Sequence, residues 1–219
     1  MTDPAYMTIA AGEAPLDGVS PVSYEIRRSR FLAYVRHASE EESTRAWIRA
    51  IRKKHFDARH VPYAWVFGIA SERQRSSDDG EPAGTAGSPI LEAIKGRGVT
   101  NVAVAVARYF GGVKLGAGGL IRSYAHAAGL GLDAAPKVRM IPLRAMLLHI
   151  DYDLVAPVER YIRDTGLHTG EAAYADAVTL TLLVPPKEVE MRKRAFTDLT
   201  AGRARFTTGD TDFVPVPLS

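Results

Sequence analysis

Apolar and polar positions along this chain follow two rhythms. Val22–Arg27 and Phe31–His37 alternate as short strands, joined by a basic turn, Arg28-Ser29-Arg30. Ala46, Trp47, Ala50 and Ile51 then recur at helical spacing. Ser39 stands as N-cap and forms a capping box with Glu42. Glu40 and Glu41 favour the helix start, and Arg49, Arg52, Lys53 and Lys54 its end. Tyr63–Ala70 predicts a strand, and Ser71–Gly87 a long polar loop. Ser88-Pro89 opens a helix that Gly96 and Gly98 stop. Asn101–Tyr109 is almost wholly apolar, which predicts a strand buried on both faces. Glycine-rich Phe110–Gly119 follows, and helical spacing resumes over Leu120–Asp133 until Pro136.

The tail keeps a different order. Arg144–Tyr152 predicts a strand and Val155–Thr165 a helix. Leu167–Tyr174 and Ala177–Val184 form a hairpin, Lys187–Leu199 a helix and Arg203–Thr207 a last strand. Strand-helix-strand-strand-helix-strand is the split βαβ order of a ferredoxin-like domain. The chain is thus expected to hold a loose arm over residues 1–20, an α+β domain over 21–136 and a second over 137–219.

Charge sharpens the picture. The 219 residues carry net +3, and the excess lies in residues 1–136, which hold 17 Lys+Arg against 14 acids. After Glu92 the next acid is Asp133, and between them lie Lys95, Arg97, Arg108, Lys114 and Arg122. An acid-free run of cations among glycines points to an anionic partner. With no cysteine, disulfides, thiol nucleophiles and Cys-ligated metals are excluded. The longest apolar runs are far below the ~20 residues of a membrane helix, and no basic, apolar leader is apparent. The expected location is the cytoplasm, with no membrane partner.

Two constellations could carry chemistry. The first runs from Arg108-Tyr109-Phe110 through Gly111, Gly112, Lys114, Gly116, Gly118 and Gly119 to Arg122, a buried strand leading through glycines into a helix. Free amides at the helix start, with Lys114 and Arg122, would cradle an oxyanion. The glycines equally suit a tight chain crossing. A Walker A ending is absent, and Ile121 stands where a dinucleotide loop needs Gly or Ala. The second constellation, Asp78, Asp79 and Glu81 with Thr85, has three carboxylates that could hold Mg²⁺, although Asp and Gly are also ordinary turn residues. His60, before an aromatic strand start, is not part of a His-x-x-x-His pair. Tyr109, Phe110 and Tyr124 are candidates to stack on bases, with Phe110 expected to be buried.

Three stretches together carry a resemblance. Ser29-Arg30-Phe31, the run Ser77–Gly87 after His60, and Arg108–Tyr124 resemble the IMPACT family, bacterial YigZ type, over about residues 20–130. The tail is more loosely similar to the second domain of bacterial members. The resemblance implies a ribosomal protein S5 domain 2-like fold, then a ferredoxin-like domain similar to the last domain of elongation factor G. It implies a role near translation; in eukaryotes, family members act on translational control through a protein partner. It supplies no catalytic residues. Val61-Pro62-Tyr63 departs from the polar residues that often follow the family's histidine.

The leading expectation is an RNA- or ribosome-associated protein of translation or its regulation, with phosphates on Arg108, Lys114, Arg122, Lys95 and Arg97. The alternative is a Mg-dependent nucleotide-using hydrolase or phosphotransferase with its phosphate on Gly111–Gly119. A protein-interaction adaptor is a third class.

Overall fold

The structure, a computed structural model, describes residues 5–10 and 21–217. In chain order the elements begin β1 (Tyr6–Ile9), β2 (Val22–Ile26), β3 (Ser29–His37), α1 (Glu41–Lys54), β4 (Tyr63–Phe67) and β5 (Arg73–Ser77). Then come α2 (Gly87–Lys95), β6 (Val102–Tyr109), α3 (Gly116–Ala134), β7 (Lys137–Ile150) and α4 (Val155–Asp164). The last are β8 (His168–Tyr174), β9 (Val178–Val184), α5 (Val189–Leu199) and β10 (Arg205–Pro217). Contacts divide them into two units, centred on residues 6–139 and residues 140–214.

In the first unit the sheet runs β2-β3-β6-β4-β5, with β6 in the middle and antiparallel to both neighbours. The sequence of β6 explains why it is central. Val102, Val104 and Val106 face a core shared with Ile90 and Ile94 of α2 and Tyr124 and Leu132 of α3. Ala103, Ala105 and Ala107 face the other core, with Trp47, Ile48 and Ile51 of α1. Successive side chains of a strand point to opposite faces, so an unbroken apolar run covers both sides of the sheet.

In the second unit β10 pairs with β7, β7 with β9, and β9 with β8. In the order of the split βαβ unit this is 4-1-3-2, the ferredoxin-like arrangement. Met146, Leu148 and Ile150 of β7 pack with Leu180 and Leu182 of β9, Val158 and Ile162 of α4 and Phe196 of α5. The chain is therefore α+β, an S5 domain 2-like domain followed by a ferredoxin-like one.

Four local expectations are corrected. Tyr6–Ile9, assigned to the loose arm, is a strand: Met7 accepts a 2.9 Å bond from the Thr100 N–H, and Ala10 donates a 2.8 Å bond to Pro136. The rest of that arm, 1–4 and 11–20, lies outside the described residues. Arg73–Ser77 of the expected loop forms β5, whose charged, exposed residues suit a sheet edge. The Ser39–Glu42 capping box does not form, because the N-cap is Glu40, which has no side-chain cap bond. Finally, α3 starts at Gly116 rather than Leu120, so three of the five glycines belong to its first turn.

Candidate functional site

Arg108 occupies the last buried position on the valine face of β6. The period of two carries its side chain beneath α3, where another valine would otherwise lie. There its Nη1 donates a 2.6 Å bond to Glu81 Oε1, and the Tyr124 hydroxyl donates a 2.7 Å bond to the same oxygen. The pair is closed off from water: the Arg108 side chain is 9% exposed and that of Glu81 is 3%. Burial, reinforced by the Glu81 charge, drives the Tyr124 phenol far above its ordinary pKa, so it stays protonated and donating. Arg108 Nε has no hydrogen-bond partner.

Arg108 and Glu81 lie at a cleft of about 410 Å³, whose other lining includes Arg59, His60, Phe110, Lys114 and Gly116–Ala117. The acidic loop and the glycine run therefore meet in one cleft. His60 is fixed from behind: its Nδ1 hydrogen donates a 2.8 Å bond to the Asp79 carbonyl. The Arg108 N–H donates a 3.0 Å bond to the His60 carbonyl, which ties that segment to β6.

The carboxylates of the loop are engaged by the fold. Asp78 Oδ1 accepts from the N–H groups of Ala86 (2.9 Å) and Gly87 (2.8 Å), and its Oδ2 from Gly84 (2.9 Å). It thereby caps α2 from nine residues away, in place of the expected Ser88 cap. Burial opposes its ionisation, but the three N–H donors hold its pKa below the ordinary carboxylate value. Asp79 pairs with Arg52 and accepts a 2.7 Å bond from the Val61 N–H. Thr85 closes a turn on the Pro82 carbonyl. Among the described residues no group of three acids or histidines is placed to hold a metal ion, and the candidate ligands Asp78, Asp79 and Glu81 each serve a different partner. That arrangement does not fit a Mg²⁺ site.

The glycines divide by task. Gly111 allows the chain crossing: a Cβ there would come within 2.0 Å of the Arg28 backbone. Gly112 and Gly116 have φ of +85° and +71°, which turn the chain into α3. Gly118 and Gly119 lie in the first turn, which carries no acidic residue and no side-chain cap, and Gly116–Gly118 are exposed.

The cations are not one patch. Lys95 pairs with Glu92 at 2.9 Å and Arg97 grips Asp133 with two bonds, neither of them at the cleft. Acids outside the acid-free segment thus neutralise three of its five cations in space. Lys114 and Arg122 keep no carboxylate partner among the described residues, and Arg59 and Arg27, which sequence reasoning did not single out, join them. Arg27 and Arg122 line a second cleft of about 350 Å³ with Tyr24 and His126; Leu115 borders both clefts. The start of α3 is therefore a ridge between two basic hollows. Phe110, expected to be buried, is 45% exposed, while Tyr124 is fully buried.

Comparison with known proteins gives concordant matches. The Impact N-terminal domain matches residues 27–132, and a domain of unknown function (DUF1949) matches residues 148–203. The chain is 35% identical to the IMPACT family member YvyE of Bacillus subtilis (strain 168) over 189 residues, 86% of this chain and 87% of that one. It is 33% identical to the IMPACT family member YigZ of Escherichia coli (strain K12), over 81% of this chain and 88% of that one. A crystal structure described as that of an hypothetical protein superposes with a TM-score of 0.60 at 30% identity, covering 94% of this chain and 98% of its own.

Proposed function

The chain belongs to the IMPACT family, which is linked to translational regulation, and from that premise we propose that it is an RNA- or ribosome-associated binding protein of the cytoplasm. The observation that carries this reading is the first turn of α3. Gly116–Gly118 are exposed, the N-terminus is free of acids, and Lys114, Arg122, Arg59 and Arg27 flank it without carboxylate partners among the described residues. A phosphate oxygen at that turn gains from the helix dipole and from charge-assisted bonds together. Phe110 at the mouth of one hollow offers an exposed ring on which a base can stack. Among the described residues no helix is long and apolar enough to cross a membrane.

The test is anisotropy with a labelled single-stranded RNA across a salt series. Binding should weaken steeply with salt, and Lys114→Glu with Arg122→Glu should reduce the log–log slope by about 1–2 as phosphate contacts are lost. An affinity untouched by that double reversal, or no binding at low salt, overturns the reading.

A further inference from the structure

We propose that an unpaired RNA strand lies across the end of the first unit's sheet, where β6 leaves it, with bases stacked on Phe56, Arg30 and Phe110 in turn. This deepens the RNA reading and rests on it. It names single-stranded over double-stranded RNA as the partner, and it adds Phe56, Arg28 and Arg30 to the surface that receives it.

The first observation is a set of stacking surfaces joined through Tyr109. Phe56 is 86% exposed, yet the turn that bears it is anchored on both sides. His55 is bonded to the hydroxyls of Tyr34 (2.7 Å) and Tyr109 (2.8 Å), and Asp57 accepts a 3.0 Å bond from Tyr109. The Ala58 N–H closes the turn on the His55 carbonyl at 2.9 Å. A fixed backbone thus holds the Phe56 ring out in water, where an unstacked base can use it. The Arg30 guanidinium lies 4.8 Å from the Tyr109 ring centre, and Arg30 is itself exposed; a guanidinium plane also carries a base. Phe110, the next residue after Tyr109, is 45% exposed, with the Arg108 Cζ 5.8 Å from its ring centre. Tyr109 therefore reaches the end of α1 while Phe110 lies on the Arg108 side, and the three surfaces follow one another across the strand end.

Charge is the second observation, independent of the rings. Arg27 and Arg28 are the two central residues of the β2–β3 turn, which the Ile26–Ser29 pair closes, and their φ angles are +47° and +64°. Left-handed backbone disfavours any side chain with a Cβ, and such two-residue turns ordinarily take Asn-Gly. Turn chemistry gives no reason for arginine at either place, whereas a phosphate partner does. The crossing at Gly111 sets the Arg28 backbone against the residue after Phe110, so this charge stands beside the stacking surfaces. Arg28, Arg30, Arg59 and Lys114 have no carboxylate partner among the described residues. The acids nearby are engaged: Asp57 by Tyr109, Asp79 by Arg52 and Glu81 by Arg108. Glu25, opposite Arg30 in register, is the exception, and it makes no ion pair among the described residues. Free cations interleaved with aromatic faces match a partner that carries one phosphate per base. A duplex keeps its bases stacked inside and offers these rings nothing.

The experiment is anisotropy on the full chain with a labelled single-stranded RNA of mixed sequence, the same strand in a duplex, and polyglutamate as competitor. The single strand should bind about tenfold or more tighter than the duplex. Phe56→Ala should weaken the single strand about tenfold at an unchanged salt slope, because a stacked base releases no counterions. Arg28→Glu with Arg30→Glu should instead reduce the slope. Phe56→Trp should keep the affinity, and bound RNA should quench the introduced indole, while Trp47 and Trp65, both buried, give a constant background. Phe56 is exposed, so its variants leave the packing untouched. A duplex bound as tightly as the single strand, or an affinity untouched by Phe56→Ala, overturns the track. RNA binding that still responds to the Lys114 and Arg122 reversals then leaves the broader reading standing alone. Polyglutamate that displaces the RNA at equal charge, and does so less well from Phe56→Ala, overturns the track in favour of an acidic protein. No RNA binding at low salt overturns both readings.

Discussion

Glu81 Oε1 lies 2.6 Å from Arg108 Nη1, across a gap closed to water, with both side chains at least nine-tenths buried. The second bond, from Tyr124, gives the carboxylate a neutral donor as well as a charged one. Removing one member of such a pair strands a charge in a poorly solvated place. Glu81→Leu should therefore cost about 3–5 kcal/mol in a denaturant titration, whereas Glu81→Leu with Arg108→Met should cost much less than the sum of the single losses. Tyr124→Phe removes one hydrogen bond to a charged acceptor and should cost about 1.5–3 kcal/mol. A Glu81→Leu protein as stable as the parent would mean that the pair is not closed off as described.

Asp78 organises the loop opposite α3. Its net pKa is depressed by the three N–H donors despite burial. The folded state thus binds the proton less readily than the unfolded chain, whose ordinary value is 3.8. The stabilisation is fully present above that value and is lost as pH falls through the lower folded pKa. Asp78→Ala should cost about 1–2 kcal/mol at neutral pH, in line with the loss of a helix cap, and should flatten the acid limb of the stability curve below about pH 4. Urea midpoints of parent and variant across pH 2–6 would check this, and parallel acid limbs would contradict it.

His55 carries a pH dependence of its own. One proton assignment satisfies every group in its chain: the Tyr34 hydroxyl donates to Nε2 (2.7 Å), Nδ1–H donates to the Tyr109 oxygen (2.8 Å), and the Tyr109 hydroxyl donates to Asp57 (3.0 Å). That assignment needs a neutral imidazole. Burial, then the Lys54 charge, holds the His55 pKa below the usual 6.5, with Asp57 opposing. His37 is shifted the same way, by burial and then by Arg36. The unfolded chain takes up these protons first, so stability should be highest above about pH 6.5 and decline as pH falls below it. In His55→Gln the decline should shrink to the part His37 contributes. A pH-independent urea midpoint between pH 8 and 5.5 would rule the assignment out.

What the sequence made legible follows the range of the forces involved. The central strand was readable because Val102–Ala107 declares its burial on both faces within its own six residues. The ferredoxin-like order was readable for the same local reason. The cap of α2 was not, because the group that supplies it, Asp78, is remote from the helix start, and Ser88-Pro89 offered a competing local signal. Charge misled for a similar reason. The stretch from Lys95 to Arg122 is acid-free along the chain, yet Glu81, Glu92 and Asp133 reach three of its five cations in space. Phe110, expected to be buried, is exposed because it lies one step past the end of β6, beyond the stretch whose two faces the cores cover.

Gly118 offers the sharpest separation of fold from binding. It sits in the first turn of α3, exposed, with ordinary helical φ, and a Cβ there would meet only Arg122 Nη1 at 3.5 Å. Packing therefore gives no reason for a glycine. Gly118→Glu should remove a residue that costs a helix about 1 kcal/mol, put an acid at the positive end of the dipole for a further 0.3–1 kcal/mol, and face Arg122 one turn on. The melting temperature should rise by a few degrees. The same carboxylate would stand where phosphate is received, so RNA affinity should fall about tenfold or more, while Gly118→Ala keeps both the fold and most of the affinity. A variant that is more stable and binds as before would show that the start of α3 receives no anion, and one that unfolds would show that the glycine serves packing after all.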